Sequence, residues 1–329
     1  MGRAFLRLLK KAVPAWQGDS EPTDDSHREL RSLAYKGPTD ACRWVATRPT
    51  APAELPLITL SVSPGKMVVM ALPFSKNQVR KLGERLRLAE VIADEDAVLL
   101  QRLLVAYDDA LSEVVTTISE EAGFTVSSRL KNTGTIVEKL RRLRSAHLGN
   151  IQDLAGARIV LSGGDTGRQD RVVASLVEKF SQHGWKCKKI DRRVVPVQGY
   201  RAVHIVTHVQ DLPVEVQVRT SWQHEWAEFM EKVSDRIGRA IRYEGEVDLD
   251  SVLDSLSIPR DSPNEVRAGI RELYDTVLTL ANKMSHAISA AEIAHGVAGD
   301  AAERIIGLVN EQMRDTIAAL DSMSINRTV

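Results

Sequence analysis

The stretch Val214–Arg219 is the strongest strand signal in this chain, because it reads Val-Glu-Val-Gln-Val-Arg and alternates strictly between apolar and polar residues. In an extended strand the three valines share one face, and the carboxylate, the amide and the guanidinium share the other. β-Branched residues suit a sheet face that packs on a core. Glu215 and Arg219 would stand roughly 13 Å apart at their bases, about the span of a nucleoside diphosphate. An ordinary amphipathic edge strand is the alternative.

Composition indicates a globular protein without a strong charge bias. The chain has 329 residues, of which 43% are hydrophobic and 27% are charged, enough apolar material for a core. Lys+Arg and Asp+Glu both total 44, so any anion site must be local. Cys42 and Cys187 lie in no metal-binding motif, and we expect a cytoplasmic protein. No apolar run approaches the ~18 residues that span a bilayer, so we expect no membrane segment.

Three parts are distinguished along the chain. Residues 1–74 are rich in Pro, Ala, Ser and Thr without a sustained period, which predicts a disordered leader. Residues 75–260 mix helical and strand patterns, and residues 261–329 predict C-terminal helices. The fold class is therefore α+β, a small sheet flanked by helices at both ends.

Four Ser/Thr-x-x-Glu/Gln patterns predict helix starts with capping boxes. They are Ser75-x-x-Gln78, Thr135-x-x-Glu138, Thr166-x-x-Gln169 and Thr220-x-x-Gln223. Besides the opening stretch, strands are predicted over Asp153–Leu161, Trp185–Ile190 and Arg201–Val209.

A candidate anion site precedes the first of these strands. Arg129 and Lys131 lie two residues apart on an extended segment, so their side chains point the same way. Thr135 opens a helix, and Lys139 follows one turn later. Cations beside free helix amides suit a triphosphate. A solvated basic surface is the alternative.

Two carboxylates could meet at the sheet. Asp153 stands at the mouth of one predicted strand and Glu215 lies on another. Two carboxylates with nucleotide phosphates are a common Mg²⁺ environment in phosphoryl transfer. Asp153 could instead only cap a turn. We also expect Glu215 to face an open cleft, so that Glu215→Gln would abolish turnover at a nearly unchanged melting temperature.

A third group of polar residues lies in Gly199–His204. Tyr200 stands at a flexible entry and offers a ring for base stacking, and His204 on the following strand could bond a ribose or phosphate. A packed tyrosine and a satisfied core histidine are the alternative.

Taken together, these motifs resemble the synthetase domain of the RelA/SpoT family, in the small stand-alone type. The four matching motifs are Arg129-x-Lys131-x-x-x-Thr135-x-x-x-Lys139, Asp153-x-x-Gly156-x-Arg158, Gly199-Tyr200-Arg201-Ala202-Val203-His204 and Glu215-Val-Gln217-Val-Arg219-Thr220. The resemblance implies a small mixed, nucleotidyltransferase-like β-sheet. It also implies a GTP/GDP pyrophosphokinase, which moves the β,γ-pyrophosphate of ATP to the ribose 3′-OH of GDP or GTP to make the alarmone (p)ppGpp.

The resemblance also implies roles for individual residues. Arg129, Lys131, Thr135 and Lys139 would bind the phosphates of ATP, and Arg158 would pack near the adenine. Asp153 and Glu215 would hold Mg²⁺, and Glu215 would help to deprotonate the attacking hydroxyl. Tyr200 would stack on guanine, and His204, Gln217 and Arg219 would orient the acceptor.

One departure from the family pattern leaves the acceptor open. Many members have a lysine just before the Gly-Tyr loop, where this chain has Val195–Gln198. The alternatives are a toxic member that modifies a tRNA 3′ end or an adenosine nucleotide, and a non-catalytic nucleotide-binding module. A basic surface formed by Arg192, Arg193 and Arg201 would favour tRNA. The toxic alternative would add an antitoxin or a tRNA as partner, and a homo-oligomer is a further expectation.

Overall fold

The structure, a computed structural model, describes residues 74–142, 147–242, 249–256 and 258–325. Nearly all of the predicted leader, residues 1–73, lies outside these ranges. The helices are α1 (Lys76–Leu88), α2 (Asp94–Thr116), α3 (Thr133–Arg142), α4 (Thr166–Gln182), α5 (Ser221–Ile237), α6 (Leu249–Ser255), α7 (Asn264–Ala294) and α8 (Gly299–Ile325). The strands are β1 (Ser127–Leu130), β2 (Ala155–Leu161), β3 (Lys186–Asp191), β4 (Val203–Val209) and β5 (Leu212–Thr220).

The five strands form one mixed sheet in the order β1-β2-β5-β4-β3. The strand containing the opening stretch, β5, lies at the centre. It runs parallel to β2 and antiparallel to β4, while β1 and β3 are antiparallel additions at the two edges. The α+β class with a small mixed sheet and flanking helices is therefore confirmed.

The valine face of β5 packs on the main core. Val214, Val216 and Val218 are fully buried, and they belong to a cluster that includes residues from α1 to α4. α2 and α4 both pack against this sheet. Burying the β-branched face in this way explains why the alternation of the opening stretch predicts the strand correctly.

A second core joins the C-terminal helices. Trp222 and Trp226 of α5 are buried there with apolar residues of α6, α7 and α8. Tyr200 and Ala202, from the loop before β4, belong to the same cluster. This core therefore holds one of the predicted site residues.

Two of the four predicted capping boxes are confirmed and two helix starts are wrong. Ser75 with Gln78 and Thr220 with Gln223 both form complete boxes. The start of α3 is capped by Asn132, whose Oδ1 accepts from the Thr135 amide at 2.9 Å. The start of α4 is capped by Asp165. Asn and Asp outrank Thr as N-caps, which explains why these helices begin earlier than predicted.

Candidate functional site

The polar residues of three strands share the sheet face opposite the main core. The strand pairing aligns Arg158 of β2, Gln217 of β5 and His204 of β4 in one row. In the next row Glu215 lies beside Gly156, which in turn pairs with Arg129 of β1. The register thus brings together predicted site residues that are up to 86 positions apart, from Arg129 to Glu215.

Five of the predicted residues close a ring of hydrogen bonds, which we call the five-residue ring. His204 Nδ1 donates to Glu215 Oε1 at 2.7 Å, and Gln217 Nε2 donates to Glu215 Oε2 at 2.8 Å. Arg219 Nη2 donates to Gln217 Oε1 at 2.7 Å and to the Tyr200 hydroxyl at 2.8 Å. Tyr200 completes the ring, with its hydroxyl 2.9 Å from His204 Nε2. A closed network of this kind holds each side chain in one orientation.

The ring is buried, which changes the expectation for Glu215. Glu215 is only 8% exposed, so its side chain does not face an open cleft. Burial opposes charge on both Glu215 and His204, but their close contact outweighs it: the pKa of Glu215 is lowered and the pKa of His204 is raised. The pair is therefore a charge-assisted contact, and replacing Glu215 must cost stability as well as activity.

Asp153 lies in a clamp formed by two lysines. Lys131 Nζ and Lys139 Nζ each lie 2.8 Å from a different oxygen of its carboxylate, and both ammonium groups are almost completely buried. The charge of Lys139 also helps to lower the pKa of Glu215. One buried cation therefore acts on both carboxylates of the predicted metal pair.

Arg129 and Thr135 lie at the edge of this clamp. Both residues are half-buried, and the Thr135 hydroxyl donates to the Asn132 carbonyl at 2.9 Å. The Lys131 amide donates to the Leu154 carbonyl at 2.8 Å, which ties the end of β1 to the residue after Asp153. Arg129 lies on β1 two residues before Lys131, whereas Thr135 lies in the first turn of α3 and Lys139 in its last turn.

Sequence reasoning missed a charged stripe on α5. His224, Glu228 and Glu231 follow at spacings of four and three, so they share one helical face, and this face lies close enough to Arg158 and Arg219 for their charges to interact. Arg158 Nη1 lies 3.4 Å from Glu228 Oε1. The helical spacing of these three residues could have indicated the stripe. The two tryptophans of α5 instead led to the interpretation of α5 as a core helix.

Burial shifts the titration of this stripe. It raises the pKa of Glu231 to about 7, with help from Glu228. It lowers the pKa of His224 to about 4 and that of Arg158 to about 9, and the charge of Arg219 adds to both effects. Perturbed groups of this kind concentrate at functional sites.

Tyr200 is more buried than we expect for a ring that stacks on a nucleobase. The residue is 7% exposed, and the guanidinium carbon of Arg219 lies 5.0 Å from its ring centroid. Its role toward a nucleobase stays a prediction.

A basic surface at Arg192, Arg193 and Arg201 would have favoured tRNA, but these arginines lie in buried or internally paired positions. Arg192 is buried. Arg193 pairs with Asp191 at 2.6 Å and with Asp170, and Arg201 lies 3.5 Å from the buried Glu292. Asp170 and Glu292, both distant in sequence, pair with Arg193 and Arg201. The three arginines therefore do not form a basic surface for RNA.

The donor chemistry fits a magnesium ion that arrives with phosphate ligands. Asp153 and Glu215 supply hard carboxylate oxygens, which Mg²⁺ prefers, and one or two protein carboxylates suffice when phosphates complete the shell. Within the described ranges no group of three or more His, Cys, Asp or Glu could hold an ion alone.

These features define an α+β protein whose mixed sheet carries a buried, charged site on one face. Residues 128–234 match the family model described as the region found in RelA/SpoT proteins. The chain therefore contains a RelA/SpoT-family domain, and the resemblance stated from the motifs is confirmed.

The curated relatives are mycobacterial. Uncharacterized proteins of Mycobacterium bovis and of two Mycobacterium tuberculosis strains are 35% identical over 178 residues, which is 52% of this chain. The chain spans 63% of the length of these relatives.

Solved structures also match part of the chain. The small alarmone synthetase 1 from Bacillus subtilis, bound to its product pppGpp, is 22% identical, with a TM-score of 0.36 over 61% of this chain and 98% of that one. The type VI effector Tas1, in complex with its immunity protein, is 18% identical, with a TM-score of 0.30 over 55% of this chain and 92% of that one.

No helix within the described ranges is long and apolar enough to cross a membrane.

Proposed function

We propose that this chain is a pyrophosphokinase that transfers the β,γ-pyrophosphate of ATP to the ribose 3′-OH of GDP or GTP. The observation that carries the proposal is the position of Lys139, which pairs with Asp153 and also acts electrostatically on Glu215. Two acidic groups converge on one cation at the edge of the five-residue ring. A metal–triphosphate complex would replace this internal pairing with the same balance of charge.

The donor half would be formed by the lysine clamp and its neighbours. Lys131 and Lys139 would move from Asp153 to the triphosphate, Arg129 would add a guanidinium, and Thr135 lies at the N-terminus of α3, where backbone amides favour anions. Arg158, already surrounded by the α5 stripe, would pack on the adenine. Its planar guanidinium suits stacking on a base better than a lysine would.

The acceptor half would be the five-residue ring. Tyr200 would contact the guanine, while His204, Gln217 and Arg219 would orient the ribose and phosphates. Glu215 would accept the proton of the 3′-hydroxyl while the oxygen of that hydroxyl bonds to the β-phosphorus of ATP. The bond from that phosphorus to the α,β-bridging oxygen breaks, and AMP leaves with this oxygen.

Asp153 and Glu215 would hold the metal. Bound Mg²⁺ would neutralise the transferred phosphates and lower the pKa of the attacking hydroxyl. The lowered pKa of Glu215 keeps its carboxylate ionised and able to accept a proton, although it is a weak base by itself. The ring holds the Glu215 carboxylate in place for both roles.

Product analysis tests the proposal. Purified protein is incubated with Mg²⁺, ATP labelled in the γ-phosphate and, separately, GDP, GTP, ADP or tRNA. We expect AMP and a labelled 3′-pyrophosphorylated guanosine nucleotide. Glu215→Gln should abolish the product, whereas Glu303→Gln, on an exposed position of α8, should not change it. AMP formation with only ADP or tRNA would contradict the guanosine acceptor, and no AMP with any acceptor would contradict the enzyme.

Other expectations rest on the sequence and on the family resemblance. A cytoplasmic location and a homo-oligomer stay predictions, and an antitoxin-type protein partner is predicted only for the toxic alternative. Arg193 and Arg201 pair with acidic residues of this chain, which removes the feature that would have favoured tRNA. Between the nucleotide acceptors we propose a guanosine nucleotide because of the family resemblance.

A further inference from the structure

Helix α7 contacts the acceptor loop, which we define as residues 197–202. Ser285 of α7 donates through Oγ to the Gly199 carbonyl at 2.5 Å. Gly199 has a φ of +83°, and a Cβ at this position would lie 2.8 Å from Cζ2 of Trp226 and 3.1 Å from Cβ of Ser285. The loop is therefore seated closely against α7 and α5, immediately before Tyr200.

A second contact of α7 joins the same loop to the end of β5. Glu292 is 5% exposed, and its Oε1 accepts from Thr220 Oγ1 at 2.9 Å and from Gln223 Nε2 at 2.7 Å. Its Oε2 lies 3.5 Å from Arg201 Nη2. One buried carboxylate thus contacts the residue after Tyr200 and the residue after Arg219.

Arg201 is also connected to β5 through a chain of hydrogen bonds. Arg201 Nη1 donates to the Arg193 carbonyl at 3.0 Å, and Arg193 Nη1 donates to Gln169 Oε1 at 3.0 Å. Gln169 Nε2 donates to the Val218 carbonyl at 2.8 Å. Val218 lies between Gln217 and Arg219, so the network supports the strand segment that carries the ring.

We infer that Glu292 of α7 is a positioning residue for the acceptor half of the proposed site. Its carboxylate fixes Arg201 and Thr220, and these neighbours fix the backbone that carries Tyr200 and Arg219. Removing the charge opposite a buried arginine leaves that guanidinium without compensation, which disturbs the surrounding contacts. This inference rests on the proposed function, and it assigns a role in acceptor binding to a helix outside the matched family region.

Glu292→Gln tests the inference, because glutamine keeps an oxygen for Thr220 and Gln223 but removes the charge opposite Arg201. We expect the KM for the guanosine acceptor to rise about tenfold, while the KM for ATP stays within about twofold; tenfold corresponds to about 1.4 kcal/mol. Asp275→Asn, an exposed acidic position on the same helix, is the matched control. Equal changes in both KM values, or a lower melting temperature with both KM values unchanged, would overturn the inference.

A second variant keeps the test informative if Glu292→Gln does not fold. Ser285→Ala removes only the hydroxyl that donates to Gly199 and should raise the acceptor KM about threefold, a loss expected for one hydrogen bond. An acceptor KM that does not change in this variant would count against a positioning role of α7.

Hydrogen exchange separates this inference from the proposed function. If the wild type makes no AMP with any acceptor, the proposed function fails, and the Tyr200 amide, which donates to the Val197 carbonyl at 2.9 Å, still reports on the loop. Glu292→Gln should speed exchange in residues 197–202 at least tenfold relative to Asp275→Asn. Unchanged exchange overturns the inference whether or not the wild type is active.

Discussion

At the residue scale, two buried acids differ sharply in their surroundings. Glu215 lies between a histidine and an amide that stabilise its charge. Glu231 has an Oε1 without a hydrogen-bond partner among the described residues, and its pKa is raised to about 7 by burial and by Glu228. Their effects on stability therefore have opposite signs as the pH changes.

The first prediction concerns Glu231→Gln. A carboxyl with a folded pKa above its ordinary 4.5 favours the folded state at low pH, and this advantage is lost as the pH rises toward 7. Glutamine resembles the protonated acid, so the variant should be more stable than the wild type above pH 7, by at most about 3 kcal/mol. The two proteins should not differ below pH 4.5. Urea unfolding across this range measures the difference.

Glu225→Gln, on an exposed position of the same helix, is the control. A stability difference between Glu231→Gln and wild type that is the same at pH 4 and pH 8 would contradict a buried, raised carboxyl.

The second prediction concerns His204→Gln. The folded pKa of His204 lies above its ordinary 6.5, so its pairing stabilises the protein fully below pH 6.5 and is lost as the pH rises through the raised value. The folded pKa of Glu215 lies below its ordinary 4.5, so its share is lost as the pH falls through the lowered value. The variant should therefore lose most stability between pH 4.5 and 6.5.

Thermal unfolding of His204→Gln and of His208→Gln at a series of pH values checks this. His208 lies on the same strand, but its Nδ1 contact to the Lys186 carbonyl is exposed. A loss in His204→Gln that grows above pH 8 would show that the histidine is neutral in the folded protein.

At the scale of elements, α3 carries two residues of the proposed donor half, Thr135 and Lys139. Its first turn is capped by Asn132, and the same short helix carries Lys139 into the clamp on Asp153. Asn132 directly precedes this helix of ten residues, and Lys139 is its seventh residue. Weakening the start of α3 should therefore reach the lysine as well.

The third prediction follows from this arrangement. Asn132→Ala removes the acceptor for the Thr135 amide and should lower the free energy of unfolding by about 1 kcal/mol. It should also raise the KM for ATP, with a smaller effect on the KM for the acceptor. Asn132→Asp keeps a cap and should restore most of both losses. If Asp and Ala behave alike, the cap does not stabilise α3.

At the scale of the whole molecule, the site joins the two cores. The sheet belongs to the main core, Tyr200 to the second core, and β5 continues directly into α5. A ligand in the site would contact residues that pack on the main core and residues that pack on the second core. The binding energy of the ligand should therefore stabilise the entire described fold.

The fourth prediction is a shift in melting temperature that requires Mg²⁺ together with an ATP analogue. Mg²⁺ alone should shift the melting temperature little, because two ammonium groups occupy the Asp153 oxygens. Mg²⁺ with a non-hydrolysable ATP analogue gives the lysines a phosphate partner, and at 100 times the Kd it should stabilise by about 2.7 kcal/mol. Lys139→Met should remove most of that shift. An equal shift with Mg²⁺ alone would show a preformed metal site.

The sequence by itself determined the central strand, the polar face and the identity of the domain. Strict alternation predicts β5 because the side-chain period of a strand is two, and the four motifs indicate the RelA/SpoT region. Only the tertiary structure decided which charges meet. Asp153 with its two lysines, Arg193 with Asp170 and Arg201 with Glu292 are all paired across distant parts of the chain. A pattern shows which face a residue occupies, whereas its partner depends on how separate elements pack, and for that reason Glu215 is buried where an open cleft was expected.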